Sequence, residues 1–382
     1  MLYFTETKIC SMNLVKNKLA IKGYGKIMRF ANWLQRIPNK ITPPPFRLIQ
    51  IGSAFWHSRI LYIGTKLGLA DEIGDTEKST STLADILQLN EDHLYRLMRT
   101  LASIGVFSET SHRTFKNSKL SEYLRKDNPK NVRSMILLHN SPEMVKPWIE
   151  TLEASIQDGG IPFEKVHGVD LFEYMNQNKK FDTLFSQAMD SVENIAGVLF
   201  LDDFNWNQFK LIIDVGGSTG SKSLTILKAN PELKAVVFDR PEIINGAREK
   251  WRSTEADSVL ARMEFIGGNA LESIPKAESS GDVYLFIAFF HALDDSDCKN
   301  ILHNLKVAMG NKSSYVVIAE SVSNEINTDP VIASMDMQIL MGTKGRERTM
   351  SEWKQLFNDT SFSIEKVMDT RSFAKFIVLR KQ

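Results

Sequence analysis

The chain has 382 residues, which is enough for two or three domains and for a hydrophobic core that is stable without disulfide bonds. Its composition, 43% hydrophobic and 24% charged, is that of a globular protein and excludes a disordered or collagen-like chain. Lys and Arg (47) nearly balance Asp and Glu (46), so nucleic acid or acidic lipid would need a local binding surface. With only Cys10 and Cys298, a disulfide framework and a thiolate zinc site are excluded. We therefore expect a protein of a reducing compartment, the cytoplasm.

Residues 1–45 are predicted to form a basic N-terminal arm. Residues 1–40 carry eight Lys and Arg side chains against Glu6 alone, and Lys interrupts every apolar stretch that a secretion signal would need. The longest apolar run, Tyr284 to Phe290, has seven residues, whereas a membrane span needs about 20. We expect neither secretion nor stable membrane insertion. The arm is predicted to be solvated or partly ordered, and the alternative is a helix that binds a membrane surface or a partner.

Residues 46–205 are predicted to form a helical domain. Apolar residues recur at helical spacing in three short segments, around Ile60, Leu83 and Leu94. The third segment ends at Gly105, and residues 106–115 are predicted to form a small hairpin, which completes the pattern of a winged helix. Some winged helices bind DNA, and a packing or dimerisation role gives the same signature. The pattern alone leaves both functions open.

Residues 206–382 are predicted to form an α/β domain. Short runs rich in Val and Ile alternate with helical stretches, at residues 211–215, 235–238, 263–266, 283–288, 315–319 and 373–379. Strands that crossover helices bury on both faces have this pattern, so we expect a mostly parallel sheet.

A glycine turn, DVGGSTG, follows the first of these runs. Such a turn lets a ligand approach the backbone closely, and the helix after it offers free N–H groups. The glycine spacing of NAD-dependent dehydrogenases is broken by Ser218 and Ser221, which disfavours hydride transfer. An acidic residue before the turn suits a ligand with an ammonium or amide donor. The candidate cofactor contacts are therefore Asp214, Gly216, Gly217, Ser218 and Gly220.

Further candidate residues, all polar except one that offers its backbone N–H, follow the later strands. A carboxylate at the end of the second strand can accept both hydroxyls of a ribose, and an amide after the third can contact an adenine. Ligands of open parallel sheets bind beyond the carboxyl ends of the strands, so we expect one pocket to hold all of these residues. They are Asp239, Asn269, Ala270, His291, Glu320 and Glu347.

In this order the motifs resemble those of the class I S-adenosylmethionine-dependent O-methyltransferases of small molecules, a family that includes caffeate, flavonoid and bacterial tailoring enzymes. The resemblance covers nearly everything after residue 45. The family's DVGGGTG, D-x-P, GGD, HDW-x-D and G-x-ERT motifs correspond to residues 214–220, 239–241, 267–269, 291–295 and 345–349. Each motif alone is weak, but the ordered set is specific.

The resemblance implies a Rossmann-like domain with a mostly parallel seven-stranded sheet, preceded by a winged-helix-like dimerisation domain. In the family this domain forms an intertwined dimer and closes one wall of the partner subunit's acceptor site. It implies S-adenosylmethionine as the cofactor, a homodimer, a small-molecule acceptor and no nucleic-acid partner. No metal is implied, and none of the other six histidines has a partner at ligand spacing.

The resemblance also assigns roles to individual residues. His291 corresponds to the general base, and Glu320 and Glu347 to the acids that orient its ring. A neutral imidazole can take the proton of a phenol or alcohol near pH 7. An acceptor-binding role falls on five apolar residues, for which plain helix core is the alternative. They are Phe181, Phe185, Met189, Met335 and Met341.

Several positions depart from the family pattern. Ser218 replaces a glycine, Asn269 replaces an Asp, and Ala292 replaces the Asp after the base. Ile287 and Ala288 stand where the family usually has a Lys or Arg near the adenine. We therefore expect a reduced cofactor affinity and an unusual acceptor.

The leading hypothesis is methyl transfer to a hydroxyl of an apolar or aromatic secondary-metabolite-like molecule. The alternative within enzymes is N-methylation of an indole or amine natural product. A winged-helix regulator that binds DNA is a third hypothesis, disfavoured because the helix that would approach DNA begins with the acidic residues Glu91 and Asp92.

Overall fold

The fold is that of a computed structural model, which describes residues 13–196, 199–252 and 254–382. These residues form two compact units. The helical unit holds residues 30–196, and the sheet unit holds residues 13–29 and 199–382. Among the described residues, no helix combines the length and apolar character needed to cross a bilayer.

Residues 1–12 of the predicted basic arm lie outside the described residues. From residue 13 the described part of the arm is a short extended stretch followed by a helix. Val15 pairs with Phe204 in an antiparallel bridge, and Leu14 is buried in the core of the sheet unit. Helix α1 (Lys18–Ile41) follows, and its first part, through Arg29, belongs to the sheet unit. Residues 18–41 are therefore helical, and the binding of this helix to a membrane surface or a partner stays a prediction.

The helical unit consists mainly of short helices, and those that start at residues 80, 91, 142 and 171 begin at a side chain that caps the helix. In the third helix of the predicted winged-helix pattern, residues 91–103, the side chain of Asn90 accepts a hydrogen bond from the N–H of His93, and Leu94, Met98 and Leu101 are buried along one face. The helices are α2 (Pro44–Lys66), α3 (Leu69–Ile73), α4 (Thr80–Leu87), α5 (Glu91–Ser103), α6 (Arg133–His139), α7 (Pro142–Lys146), α8 (Leu152–Asp158), α9 (Pro162–His167), α10 (Leu171–Gln177) and α11 (Lys179–Ala196).

A small antiparallel sheet completes the predicted winged-helix pattern. Its strands are β1 (Glu77–Ser79), β2 (Phe107–Ser111) and β3 (Thr114–Asn117), in the order β1-β3-β2. Phe115 of β3 and Phe107 of β2 are buried in the same apolar cluster as Leu94 and Leu101 of α5. The hairpin and the helices thus share one core.

The sheet unit is built around a seven-stranded sheet in the order β6-β5-β4-β7-β8-β10-β9. Five neighbouring strands are parallel, and the last two form an antiparallel hairpin at one edge. The strands are β4 (Leu211–Val215), β5 (Lys234–Asp239), β6 (Met263–Gly267), β7 (Asp282–Ile287), β8 (Tyr315–Ser321), β9 (Phe362–Asp369) and β10 (Ala374–Lys381).

Helices cover both faces of this sheet, so its central strands are buried throughout. Along β4, Ile213 and Val215 lie in one apolar cluster and Ile212 lies in the other. The helices are α12 (Ser221–Ala229), α13 (Pro241–Ile244), α14 (Ala247–Arg252), α15 (Asp257–Leu260), α16 (Asp295–Met309), α17 (Pro330–Gly342) and α18 (Met350–Asn358). The predicted class, a mostly parallel α/β domain preceded by a winged-helix-like domain, is confirmed.

The division into units differs from the predicted boundaries at residues 45 and 205. Leu14, Phe200, Leu201 and Phe204 are buried in one core cluster of the sheet unit together with Phe376 of β10. The predicted boundary follows the start of the Val and Ile runs. The aromatic residues before β4 belong to the same core as the sheet, and the domain boundaries stay predictions.

Candidate active site

The turn after β4 has the backbone conformation that a glycine-rich loop requires. The N–H of Gly216 donates to the carbonyl of Phe238 on the neighbouring strand, at 2.8 Å. Gly216, Ser218 and Gly220 all have positive φ, at 75°, 53° and 84°. For Ser218 this left-handed conformation costs about 1 kcal/mol, because its Cβ crowds the backbone. The residue that replaces a family glycine therefore adopts a glycine-type conformation.

The glycines of this turn also lie where no side chain would fit. A Cβ at Gly216 would come within 2.3 Å of the Phe289 ring, and one at Gly217 within 2.7 Å of the Asp214 carboxyl carbon. A Cβ at Gly220 would lie 2.9 Å from Val237. The turn therefore presents backbone rather than side chains at the carboxyl end of β4.

Asp214 lies at the end of β4 and is only 2% exposed. Its Oδ2 accepts a hydrogen bond of 2.6 Å from the hydroxyl of Ser223 on α12. Burial and this bond hold the carboxylate in one orientation beneath the turn. Ser223 is absent from the sequence-based predictions, and nothing in its spacing could have identified it.

Asp239 ends β5 and holds the same turn from the other side. Its Oδ2 accepts from the N–H of Ser218 at 2.8 Å, and its Oδ1 accepts from the N–H of Arg240 at 2.7 Å. A carboxylate oxygen accepts two hydrogen bonds, so each oxygen keeps one lone pair for a further donor. A half-buried carboxylate of this kind fits two adjacent hydroxyls, such as those of a ribose.

Asn269 and Ala270 follow β6. The side-chain oxygen of Asn269 accepts from the N–H of Leu271 at 3.0 Å, and its amide nitrogen donates to Glu272 at 3.1 Å. Asn269 is exposed, whereas Ala270 is half-buried. The Asn269 oxygen keeps a lone pair for a further donor, so the turn fits the adenine contact that the sequence predicts.

His291 follows β7 and meets two buried glutamates. Its Nδ1 lies 2.9 Å from Oε1 of Glu347 and 3.8 Å from Oε2 of Glu320. Because an ionised carboxylate only accepts, Nδ1 carries the proton in the bond to Glu347. Among the residues that the structure describes, none forms a hydrogen bond with Nε2 of this ring. The structure thus brings the three predicted catalytic residues together.

The two glutamates are themselves fixed by hydrogen bonds. Oε1 of Glu320 accepts from the backbone N–H groups of Phe289 and Phe290, at 2.7 and 2.8 Å. The hydroxyl of Ser321 donates to Oε2 of Glu347, and the backbone N–H of Glu347 donates to Asp336 at 2.7 Å. The carboxylates therefore have little freedom to turn away from the imidazole.

The pKa values of His291 and Glu320 depart from their usual ranges. Burial by itself lowers the pKa of His291, but Glu320 and Glu347 outweigh burial and raise it to about 9. Burial raises the pKa of Glu320, although the charge of His291 opposes this shift. The adjacent carboxylates therefore favour the protonated ring, whereas the sequence-based expectation takes the imidazole as neutral near pH 7.

Arg348 holds the loop that carries His291. It is 1% exposed, and it donates to the carbonyls of Phe290 at 2.9 Å and Leu293 at 2.8 Å. It also donates to Oδ1 of Asp295 at 2.7 Å. Sequence reasoning matched Arg348 to a motif but gave it no role, because two of its partners are backbone atoms.

Gly345 brings the loop of Glu347 against the loop of His291. A Cβ at this glycine would lie 1.9 Å from the carbonyl oxygen of His291 and 2.6 Å from the carbonyl carbon of Ala292. The two loops touch through their backbones, so only glycine is compatible with this contact.

The same three side chains have a spacing that a metal ion can use. Ligand-type atoms of His291, Glu320 and Glu347 all lie within 4.8 Å of one another. The hydrogen bonds from Phe289, Phe290 and Ser321 already occupy positions on the two carboxylates. This geometry explains the group without a metal.

The residues predicted to contact the acceptor differ in exposure. Phe181 of α11 is 5% exposed and lies in an apolar cluster with Phe163, whereas Phe185 is half-buried and Met189 is exposed. On α17, Met335 is half-buried, and Met341 is fully buried. Phe181 and Met341 are buried, which agrees with the alternative that these two residues only pack in the core. The acceptor role of all five stays a prediction.

The winged-helix element has little free positive charge at the start of α5. Arg113 of the hairpin pairs with Glu91 and with Asp92, both at 3.2 Å. These acidic side chains neutralise a cation that would otherwise be available to a phosphate.

Two family models match the chain. One describes an O-methyltransferase dimerisation domain, at residues 49–127, and the other an O-methyltransferase domain, at residues 148–363. The phenazine O-methyltransferase PhzM of Lysobacter antibioticus is 30% identical over 334 residues, which cover 87% of this chain and 95% of that protein. The chain belongs to the O-methyltransferase family.

This methyltransferase is also similar to a phenazine-1-carboxylate N-methyltransferase of Pseudomonas aeruginosa, 30% identical over 334 residues that cover 87% of this chain and 96% of that protein. The crystal structure of LaPhzM matches it with a TM-score of 0.81 and 29% identity, over 89% of this chain and 100% of that one. The predicted family, the methyltransferase activity and the dependence on S-adenosylmethionine are confirmed. The relatives include both O- and N-methyltransferases of secondary metabolism.

Proposed function

We propose that the methyltransferase transfers a methyl group from S-adenosylmethionine to a hydroxyl of an apolar or aromatic secondary-metabolite-like small molecule. The observation that carries this proposal is the hydrogen bond between Nδ1 of His291 and Glu347. It fixes the ring tautomer, so that the deprotonated ring has its free lone pair on Nε2. This is the arrangement that a general base needs.

The cofactor-binding part of the proposal rests on the turn after β4 and on the residues that end β4, β5 and β6. When bound, S-adenosylmethionine supplies an electrophilic methyl group. The polar groups of this cofactor fit the backbone of the turn, the carboxylates of Asp214 and Asp239, and the side-chain amide of Asn269. The proposed contacts are Asp214, Gly216, Gly217, Ser218, Gly220, Asp239, Asn269 and Ala270.

The raised pKa of His291 favours a phenol as the acceptor. A base with a pKa of about 9 is close to the pKa of an ordinary phenol, about 10, so that proton transfer between them is nearly balanced. A positioned base of this kind accelerates the reaction by about 10²- to 10⁴-fold. Glu320 and Glu347 stabilise the imidazolium that forms. In-line positioning of the acceptor oxygen supplies a further part of the acceleration.

We propose that the reaction needs no metal ion. The hydrogen bonds described above already use the carboxylates beside His291 to orient the imidazole. Dialysis against a chelator, followed by the standard assay, should leave the rate unchanged. A loss of activity that Mg²⁺ or Zn²⁺ restores would contradict this part of the proposal.

The acceptor pocket and the assembly belong to the same proposal. Phe181, Phe185, Met189, Met335 and Met341 are proposed to contact the acceptor, whose flat apolar surface they suit. The match to the dimerisation domain supports a homodimer. We also propose a cytoplasmic location and no nucleic-acid partner.

N-methylation is the second candidate because one relative that is 30% identical is named as an N-methyltransferase. A nitrogen acceptor of low pKa already carries a lone pair and needs little base catalysis. His291→Ala separates the two functions. If the turnover rate falls by about 100-fold or more, the range expected for acid–base catalysis, the hydroxyl acceptor is supported, and a small change supports nitrogen.

The first experiment is a screen of phenolic, indolic and amine acceptors with labelled S-adenosylmethionine. We expect label in a phenolic product and a binding signal for S-adenosylhomocysteine by calorimetry. Label found only in indoles or amines would overturn the hydroxyl assignment. Absence of S-adenosylhomocysteine binding at millimolar concentration would overturn the proposed cofactor contacts.

A further inference from the structure

Helix α1 lies outside the parts of the chain that the family models match. It ends at Ile41, whereas the dimerisation model begins at residue 49 and the methyltransferase model ends at residue 363. The family's reaction and the family's dimerisation domain therefore leave this helix unexplained.

One side of α1 is apolar and exposed. At about 3.6 residues per turn, six apolar side chains fall within an arc of about 80° on the helix surface. Leu19 is 88% exposed and Ile41 is 77% exposed, at the two ends of this stripe. The six are Leu19, Ile27, Phe30, Leu34, Ile37 and Ile41.

A second side of α1 is strongly basic. The helix contains six cationic side chains and no acidic one, and all six are exposed. They occupy an adjacent arc of about 80°, where they flank the apolar stripe. Trp33, which is 55% exposed, lies among them. The six are Lys18, Lys22, Lys26, Arg29, Arg36 and Lys40.

The half-buried residues of α1 lie mainly on a third side. Ile21, Tyr24, Ala31 and Asn32 share this side, and none belongs to the apolar stripe or to the basic arc. The stripe is therefore a separate surface from the side that is partly covered by the chain itself.

The start of α1 is fixed to the sheet unit. The N–H of Lys16 donates to the carbonyl of Asp203 at 2.8 Å, and the side-chain amide of Asn17 donates to the carbonyl of Asp202 at 3.1 Å. Leu14 is 1% exposed. Helix α1 thus begins directly after residues that are hydrogen-bonded to the sheet unit.

We propose that α1 is an interfacial helix that binds the methyltransferase to an anionic lipid surface. An apolar stripe bordered by Lys and Arg, with an aromatic ring at the border, matches such a surface: the stripe enters the headgroup boundary and the cations contact anionic headgroups. The helix lies along the membrane and does not cross it.

A second copy of this helix suits the surface less well. Two such helices side by side would bring two sets of six cations together without one acidic residue on either. Lys is also depleted in protein interfaces. Charge complementarity therefore favours an anionic lipid surface over a second α1.

The test is co-sedimentation of the full chain with vesicles. We expect binding to vesicles of phosphatidylcholine and phosphatidylglycerol in equal amounts, little binding to phosphatidylcholine alone, and weaker binding as salt is added. The double substitution Phe30→Ser and Leu34→Ser should weaken binding about tenfold or more, because it removes buried apolar surface. Lys22→Gln and Arg29→Gln should each weaken it about fivefold.

Val307→Ser is the matched control. Val307 is 62% exposed on α16 in the sheet unit, so its substitution should leave vesicle binding unchanged. All variants should bind S-adenosylhomocysteine as the wild type does, which shows that they fold. The proposal is overturned if the wild type stays in the supernatant with anionic vesicles at low salt. It is also overturned if the double variant Phe30→Ser and Leu34→Ser sediments with vesicles as the wild type does. The same holds if the only effect of this double substitution is that a dimer becomes a monomer in light scattering.

Discussion

Nδ1 of His291 lies 2.9 Å from Oε1 of Glu347, and this contact joins two loops that are 56 residues apart in the chain. One loop follows β7 and the other precedes α18. Gly345 lets the backbones of the two loops touch, and Arg348 ties the second loop to carbonyls of the first. The position of the proposed base therefore depends on Gly345 and Arg348, which are outside the proposed cofactor and acceptor contacts.

The pH dependence of the reaction should report the pKa of His291. Only the deprotonated ring acts as a base, so kcat/KM for the methyl donor should rise with pH and level off above about 9. Glu347→Gln removes a carboxylate that raises this pKa, so the inflection should move to lower pH while the maximal rate falls.

Glu325→Gln is the control for this profile, because Glu325 is an acidic residue outside the group around His291 and pairs instead with the N–H of Ser351. Its profile should match that of the wild type. A flat wild-type profile between pH 6 and 10, or an inflection that Glu347→Gln leaves in place, would contradict the role of His291.

Gly345→Ala should disrupt the contact between the two loops. Its Cβ would meet the carbonyl of His291 at 1.9 Å, so the backbone must move and carry Glu347 with it. We expect the turnover rate to fall by about 100-fold, as a displacement of about 1 Å can cause. Gly281→Ala, where the nearest atom would lie 3.5 Å away, should keep wild-type activity. Equal rates for the two variants would argue against a tight loop contact.

Arg348→Met should destabilise the fold by about 3 kcal/mol, because two buried carbonyls and a carboxylate lose their donor. Arg346 pairs with the same Asp295 but is about half exposed, so Arg346→Met should cost less than about 1 kcal/mol. Urea unfolding with an unchanged slope measures both values. Similar urea midpoints for the two variants would show that burial of Arg348 adds nothing to the free energy of unfolding.

Asp239→Asn should weaken the binding of S-adenosylhomocysteine about tenfold or more, because a hydrogen bond to a charged acceptor is lost or becomes neutral. The change also affects the bond from the N–H of Ser218 that holds the glycine turn. Asp257→Asn, at an exposed position on α15, is the control and should bind as the wild type does. Calorimetry gives both dissociation constants, and equal values would remove Asp239 from the proposed cofactor contacts.

Much of the sheet unit could be predicted from sequence because its central strands are buried on both faces. The run from Leu211 to Val215 shows this clearly, since every residue in it is buried. Strand β9, Phe362–Asp369, was not predicted. It lies at the edge of the sheet, and its exposed Glu365 and Lys366 break the apolar pattern on which strand prediction depends.

The sequence pattern best identifies those positions of the candidate site that end or follow a strand. Asp214, Asp239 and His291 end or follow strands, which the pattern of Val and Ile runs reveals. Ser223 and Ser321 were missed because a hydroxyl that donates to a buried carboxylate has no signature in spacing. The raised pKa of His291 has no signature in the sequence, because it depends on the distance to two carboxylates that a sequence does not give.

The anchoring of Leu14 limits how far this protein can be shortened for expression or crystallisation. A version that starts at Met28 would lose the side chain that fills the core beside Phe204, together with the bridge from Val15 to that residue. Such a version would expose an aromatic cluster to water and aggregate. Point substitutions on the surface of α1 are therefore the better route to a well-behaved sample.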